Sequence, residues 1–242
     1  MKVVLILILN FVMLMASNPY NNFDSKIKYE YDVFIEGALE VLNLKLGEAS
    51  LSVKEQDKID GIDVYHFNFK VRTTKLGDRV YKIRNEIDVW VDQKTLNVVK
   101  QNKNIRELRK KKKTTTIIKK QTGITNGKEF MVKENVFDPY SLLLILSTFD
   151  IPTDKSKVFD IVDAGKSRSI EIKNLGFEKI KTPFGNKQGF TLSPVKNGEP
   201  VLKNKGDMEV SYVLINKTLV PAKILIKIGS GVIELRLKKI LE

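Results

Sequence analysis

The sequence predicts an all-β protein: an antiparallel barrel or half-barrel, or a curved two-sheet body, with one apolar helix. Three observations carry this. Apolar and polar residues alternate at period two in segment after segment, as in strands with one buried face. Asp-Gly, Asn-Gly and other Gly-bearing turns separate those segments. One run alone, between Asp138 and Phe149, is apolar without alternation and poor in β-branched residues, which favours helix over strand.

The first residues differ in kind from the rest. Lys2 precedes an apolar stretch from Val3 to Met15, interrupted only by Asn10, and the small residues Ala16 and Ser17 follow. A charged start, a short apolar middle and a small-residue exit form the layout of a secretory signal peptide over 1–17. The apolar middle is shorter than the roughly 20 residues that span a bilayer, so cleavage is expected over retention as an anchor. A polar, flexible linker over 18–26 and a single all-β domain over 27–242 complete the expected organisation.

Within that domain, Ile27, Tyr29, Tyr31, Val33 and Ile35 share one face of a first strand. Gly37 permits a bend, and the segment to Leu46 is apolar on both faces. Ala49, Leu51 and Val53 mark a second strand. Asp60-Gly61 suits the positive φ of a tight hairpin turn. Tyr65, Phe67, Phe69 and Val71 then form the inward face of a strand, with its partner over 79–92 reached through a turn at Gly77-Asp78. Residues 96–105 and 114–120 read as further strands, with turns at Gly123 and Asn126-Gly127. Asp138 stands as a helix cap, Pro139 at the first helical position, and Pro152 near the stop. The helix is expected near 138–149, at about three turns. Strands resume at 169–175, 176–180, 189–195, 208–215, 222–228 and 231–240, with a hairpin turn near Gly229.

The order of several segments resembles an exported bacterial family known only as a domain of unknown function, DUF3108. The pieces are residues 88–99, the helix start Asp138-Pro139-Tyr140-Ser141 and the closing segment 216–237 with Pro221 and Gly231. The resemblance implies an uncharacterised periplasmic all-β protein. It carries no catalytic residues.

Composition narrows the chemistry. The chain has no Cys and a single His, His66. It therefore forms no disulfide, no thiol nucleophile, no Cys-based zinc site and no multi-His metal cluster. His66 falls on the outward face of its strand. The spacing of Asp57, Asp60 and Asp63 is that of a turn rather than a calcium loop. Glu86, Asp88 and Asp92 are the one set of acids that suggests glycan hydrolysis, although exposed alternating acids on a strand explain them too. No catalytic residue, metal or cofactor is expected.

Two groups remain as candidate contacts. Trp90 lies between Asp88 and Asp92 on the face opposite Ile87, Val89 and Val91; it is either buried under the helix or displayed for a ligand. With Leu142, Leu143 and Leu146 it forms the expected apolar pocket. The net charge is +13, concentrated in Arg106, Arg109, Lys110, Lys111, Lys112 and Lys113. An exported basic protein meets anionic membrane surfaces or glycans rather than the genome, and the tract lacks the interleaved aromatics of a nucleic-acid groove. A solvated hairpin face is the plainer reading of the same residues.

The expectation is a non-catalytic protein of the bacterial periplasm, or secreted, that binds a lipid-like or amphipathic anionic envelope component. The alternatives are a structural or assembly factor contacting anionic glycan or lipopolysaccharide, and a glycan hydrolase. The oligomeric state stays open.

Overall fold

The computed structural model describes Phe23 and residues 26–36, 44–200, 208–228 and 231–242. The leader, most of the linker, the bend at Gly37 with the segment after it to residue 43, and the turn at Gly229 lie outside the described residues.

Among the described residues, seventeen strands form one sheet. The first half supplies β1 Lys28–Glu36, β2 Gly47–Val53, β3 Asp57–Ile59, β4 Ile62–Thr73, β5 Arg84–Asp92, β6 Val98–Glu107, β7 Lys110–Lys119, β8 Thr122–Thr125 and β9 Lys128–Met131. After β10 Val136–Phe137 come β11 Ser156–Asp163, β12 Lys166–Thr182, β13 Gly185–Lys196, β14 Glu199–Pro200, β15 Met208–Ile215, β16 Thr218–Ile228 and β17 Gly231–Leu241. Spatially the ladder runs β9, β8, β7, β6, β5, β4, β2, β1, β17, β16, β15, β13, β12, β11, β10, with β3 beside β4 and β14 beside β13. Every pairing is antiparallel except β10 with β11. The first and last strands pair with each other in the middle of the sheet.

Alternation decides which side is inward. In β5, Asn85, Ile87, Val89 and Val91 are buried, whereas Arg84, Glu86, Asp88, Trp90 and Asp92 keep solvent contact. Cross-strand partners share a face, so this parity passes to Phe67 and Phe69 on β4 and to Gln101 and Lys103 on β6. The Asp60-Gly61 and Asn126-Gly127 turns form as expected, each with both residues at positive φ.

The sheet is curved but not closed by a ladder. Side chains seal the seam where β6 and the segment after β9 meet β11 and β12. Gln101 donates to the Val162 carbonyl at 3.0 Å. Lys133 donates to Asp160 at 2.8 Å and to Ser169 at 3.0 Å.

Three sequence expectations are corrected. The helix is shorter: α2 spans Leu142–Ile145 and continues as a 3₁₀ turn, Leu146–Thr148. Segments 169–175 and 176–180, expected as two strands, are one strand, β12, with a bulge between Asn174 and Phe177. The segment before β5 is not yet strand; Gly77–Val80 forms a single helical turn, α1, because Thr74 and Gly77 close it through backbone bonds to Asp78 and Tyr81. The strand β11, carrying buried Phe159, Ile161 and Val162, was not foreseen from the sequence.

Candidate functional site

The helix runs inside the curve of the sheet. Leu142, Leu143, Leu144, Ile145 and Leu146 are all buried, so this apolar segment is a plug rather than an exposed lid. Asp138 starts it: its carboxylate accepts the backbone N–H groups of Tyr140 at 2.7 Å and Ser141 at 3.1 Å, satisfying donors that the first turn leaves open. From the opposite wall, the Tyr212 hydroxyl donates to the Leu143 carbonyl at 2.9 Å.

The plug does not fill the interior. A cavity of about 420 Å³ remains between it and the sheet. Its walls include Leu142, Leu143 and Leu146 from the helical segment. Phe69, Ile161, Leu192, Val210, Ile226 and Leu235 come from six different strands. Convergence of so many strands on one space is what the curvature of the sheet achieves. Tyr81, Glu107, Asp163, Arg168 and Lys227 also line it and retain solvent contact, so they mark the rim. Asn85 donates to Glu107 at 2.6 Å.

A buried charged group anchors the helix start beside this cavity. Lys103 is 6% exposed and Asp138 0%. The Lys103 Nζ lies 2.7 Å from Asp138 Oδ2 and 2.9 Å from Asp163 Oδ1, and 5.0 Å from the centre of the Tyr140 ring. Burial pulls the Lys103 ammonium down, but the charges of Asp138 and Asp163 outweigh it and hold the group above the ordinary lysine range. Burial likewise pushes Asp163 up, and the charge and hydrogen bond of Lys103, with Arg168 and Lys112 further off, bring it below the usual carboxylate range. Burial pushes the Tyr140 phenol up to about 12.

The profile of the family described as "Protein of unknown function (DUF3108)" matches residues 28–237. The chain belongs to the DUF3108 family. Comparison with curated proteins finds no match. Among solved structures, a β-barrel-like protein of domain of unknown function DUF1849 from Brucella abortus is similar, with a TM-score of 0.54 at 12% identity. The match covers 90% of this chain and 97% of that one. At that identity the likeness speaks for fold alone, and it supports the barrel-like reading of this DUF3108 sheet.

The structure separates the predicted apolar pocket. Leu142, Leu143 and Leu146 line the cavity, but Trp90 does not; it sits half-buried on the outer face and not under the helix. His66 stacks on it at 4.3 Å and 18°, and Lys100 lies 5.0 Å from its ring centre. These two are its cross-strand neighbours on β4 and β6, so the indole is sandwiched within a row of side chains. Its Nε1 donates to Asp57 at 3.3 Å.

The predicted carboxylates of this DUF3108 chain lie on the same outer face. Glu86 pairs with Lys70 at 2.7 Å. Asp88 Oδ1 is 2.8 Å from His66 Nε2 and accepts Asn68 at 2.8 Å. Asp92 accepts the backbone N–H groups of Lys94 and Thr95 in the following turn. Asp60 and Asp63 pair with Lys119 and Lys58. Among the described residues no group of three or more His, Asp or Glu is arranged to hold a metal ion.

Arg106, Arg109, Lys110, Lys111, Lys112 and Lys113 are all exposed, around the β6–β7 turn. Successive strand residues point to opposite faces, so four consecutive exposed lysines mean that both faces of the hairpin end are wet. Glu107, which faces Lys110 beside the turn, lines the cavity, so the hairpin tip lies at its rim. Sequence reasoning missed Lys103 and the rim residues Tyr81, Glu107 and Arg168. No local sequence signal pointed toward Lys103, whose meeting with Asp138 depends on how the strands are placed.

Proposed function

We propose that this DUF3108 protein is a non-catalytic, exported envelope protein that holds the apolar part of a lipid-like or amphipathic molecule between its plug and its sheet. The observation that carries the reading is the cavity of about 420 Å³ with walls drawn from the helical leucines and nine strands. Pockets for small ligands fall in the range of about 300–1,000 Å³ and are mostly apolar with a few polar groups. Here the charged groups Lys103, Asp138 and Asp163 are engaged with one another, which suits a site that selects by shape and apolarity rather than one that moves protons. The signal-like leader and the basic hairpin support a reading at the bacterial envelope, with an anionic group of the ligand near the rim.

Binding of a fluorescent fatty acyl probe, displaced by unlabelled fatty acid, is the direct test. Native mass spectrometry of protein purified from its host is the second. Absence of both a copurified lipid and probe binding removes the reading. A structural or assembly role draws support from the solvated Lys110–Lys113 cluster, and retention on acidic glycan without any acyl binding would favour it.

A further inference from the structure

We propose that the β6–β7 hairpin docks this protein on an anionic lipid bilayer, with Leu108 entering the interface and the surrounding Arg and Lys side chains at headgroup level. Leu108 forms the turn and is 57% exposed. Its φ of +52° lies in the left-handed region, which a residue with a β-carbon seldom takes and glycine takes freely. A solvent-exposed turn that would be more relaxed with glycine thus carries a leucine in water. Other turn residues share a left-handed φ; what sets Leu108 apart is an apolar side chain left mostly in water at a hairpin tip, the kind of exposure that marks a contact surface when it lies among other groups of the same partner's chemistry.

The charges around it fit the same partner. Arg106, Arg109 and Lys110 flank the leucine in sequence, and Lys111, Lys112 and Lys113 continue along β7. Long basic side chains keep their charge at the headgroup level while an apolar neighbour sinks below it. The neighbouring loop repeats the arrangement. The Leu108 N–H donates to the Lys82 carbonyl at 2.9 Å, and that loop carries exposed Lys75, Arg79 and Lys82 with Leu76 43% exposed. Both loops border the cavity, through Tyr81 and Glu107, so a bilayer held here would face its rim. A soluble acidic polymer would use the charges but has no use for the leucines, which is why the bilayer is the partner proposed.

The test is cosedimentation of the full protein with vesicles of phosphatidylglycerol and phosphatidylcholine, against phosphatidylcholine alone, at low and high salt. Binding should require the anionic lipid and weaken with salt. Replacing Lys110, Lys111, Lys112 and Lys113 together by Gln should weaken it by at least about tenfold. Leu108→Gly removes the side chain and relieves the turn, so its thermal midpoint should not fall while vesicle binding drops several-fold. Equal binding to neutral vesicles, no binding, or an unchanged quadruple variant overturns the proposal. An unchanged Leu108→Gly variant does so too, as does Leu108-independent binding to acidic polysaccharide of equal strength. The acyl-probe measurement is made on the same variants without vesicles. Retained probe binding there separates failure of the docking surface from failure of the cavity reading.

Discussion

Lys103 on β6 and Asp138 at the helix start form an ion pair of 2.7 Å in which both partners are buried. Asp138 thereby has two duties: one carboxylate oxygen holds the first backbone N–H groups of the helical segment, and the other meets the lysine that projects inward from the seam. The pair ties the plug to the sheet where the ladder is interrupted. Removing one member of a buried pair leaves an uncompensated charge and costs about 3–5 kcal/mol. Lys103→Met is therefore expected to lower unfolding free energy by that order in a urea titration. The double variant Lys103→Met with Asp138→Asn should recover part of the loss, because the fully buried charge goes with its partner and only Asp163, which keeps solvent contact, loses its lysine.

The same group sets a pH dependence. Lys103 and Tyr140 both have folded-state pKa values above their ordinary ones. A raised pKa contributes stability that is present below the unfolded value, about 10 for both, and is lost as pH rises through the folded value. Thermal midpoints should therefore decline above about pH 10. Tyrosinate absorbance should rise in step with unfolding, since burial also pushes Tyr31 and Tyr212 upward.

On the acid side, the sign reverses. Burial raises Asp88, but hydrogen bonds from His66 and Asn68 and the charges of His66 and Lys54 bring it below the ordinary carboxylate range; Asp163 is lowered as well. Depressed pKa values contribute stability above the unfolded value, about 3.9, that is lost as pH falls through the folded one. Asp88→Asn should therefore flatten the loss of midpoint below about pH 4.

A cavity-filling change tests occupancy. Ile226 lines the cavity and keeps accessible surface, so Phe at this position can extend into empty space with little overpacking. Ile226→Phe should weaken acyl-probe binding several-fold while the thermal midpoint holds. By contrast, Trp90 faces away, between His66 and Lys100. Its fluorescence should stay unchanged on probe binding, and a clear shift would place the ligand on the outer face instead.

Gly77 tests the wall behind the rim. A β-carbon there would lie 2.0 Å from the Leu46 carbonyl oxygen, a backbone atom that cannot step aside. Gly77→Ala should cost about 2 kcal/mol, read as a lower denaturation midpoint with unchanged slope.

By itself the sequence determined the strand faces, two Gly-bearing hairpin turns and the place of the plug, because alternation, turn chemistry and an Asp-Pro helix start act over a few residues. It could also mark Lys110–Lys113 as solvated. Only the tertiary structure decided that the first and last strands pair, and that the seam is sealed by Gln101 and Lys103. The same holds for Trp90, which faces outward in a sandwich of neighbours. Those outcomes depend on which strands lie beside one another, and residues such as Lys103 and Asp138 meet through pairings that no local pattern encodes. The cavity belongs to the same class: it is the space left when a short helix occupies a sheet wide enough to curve around it.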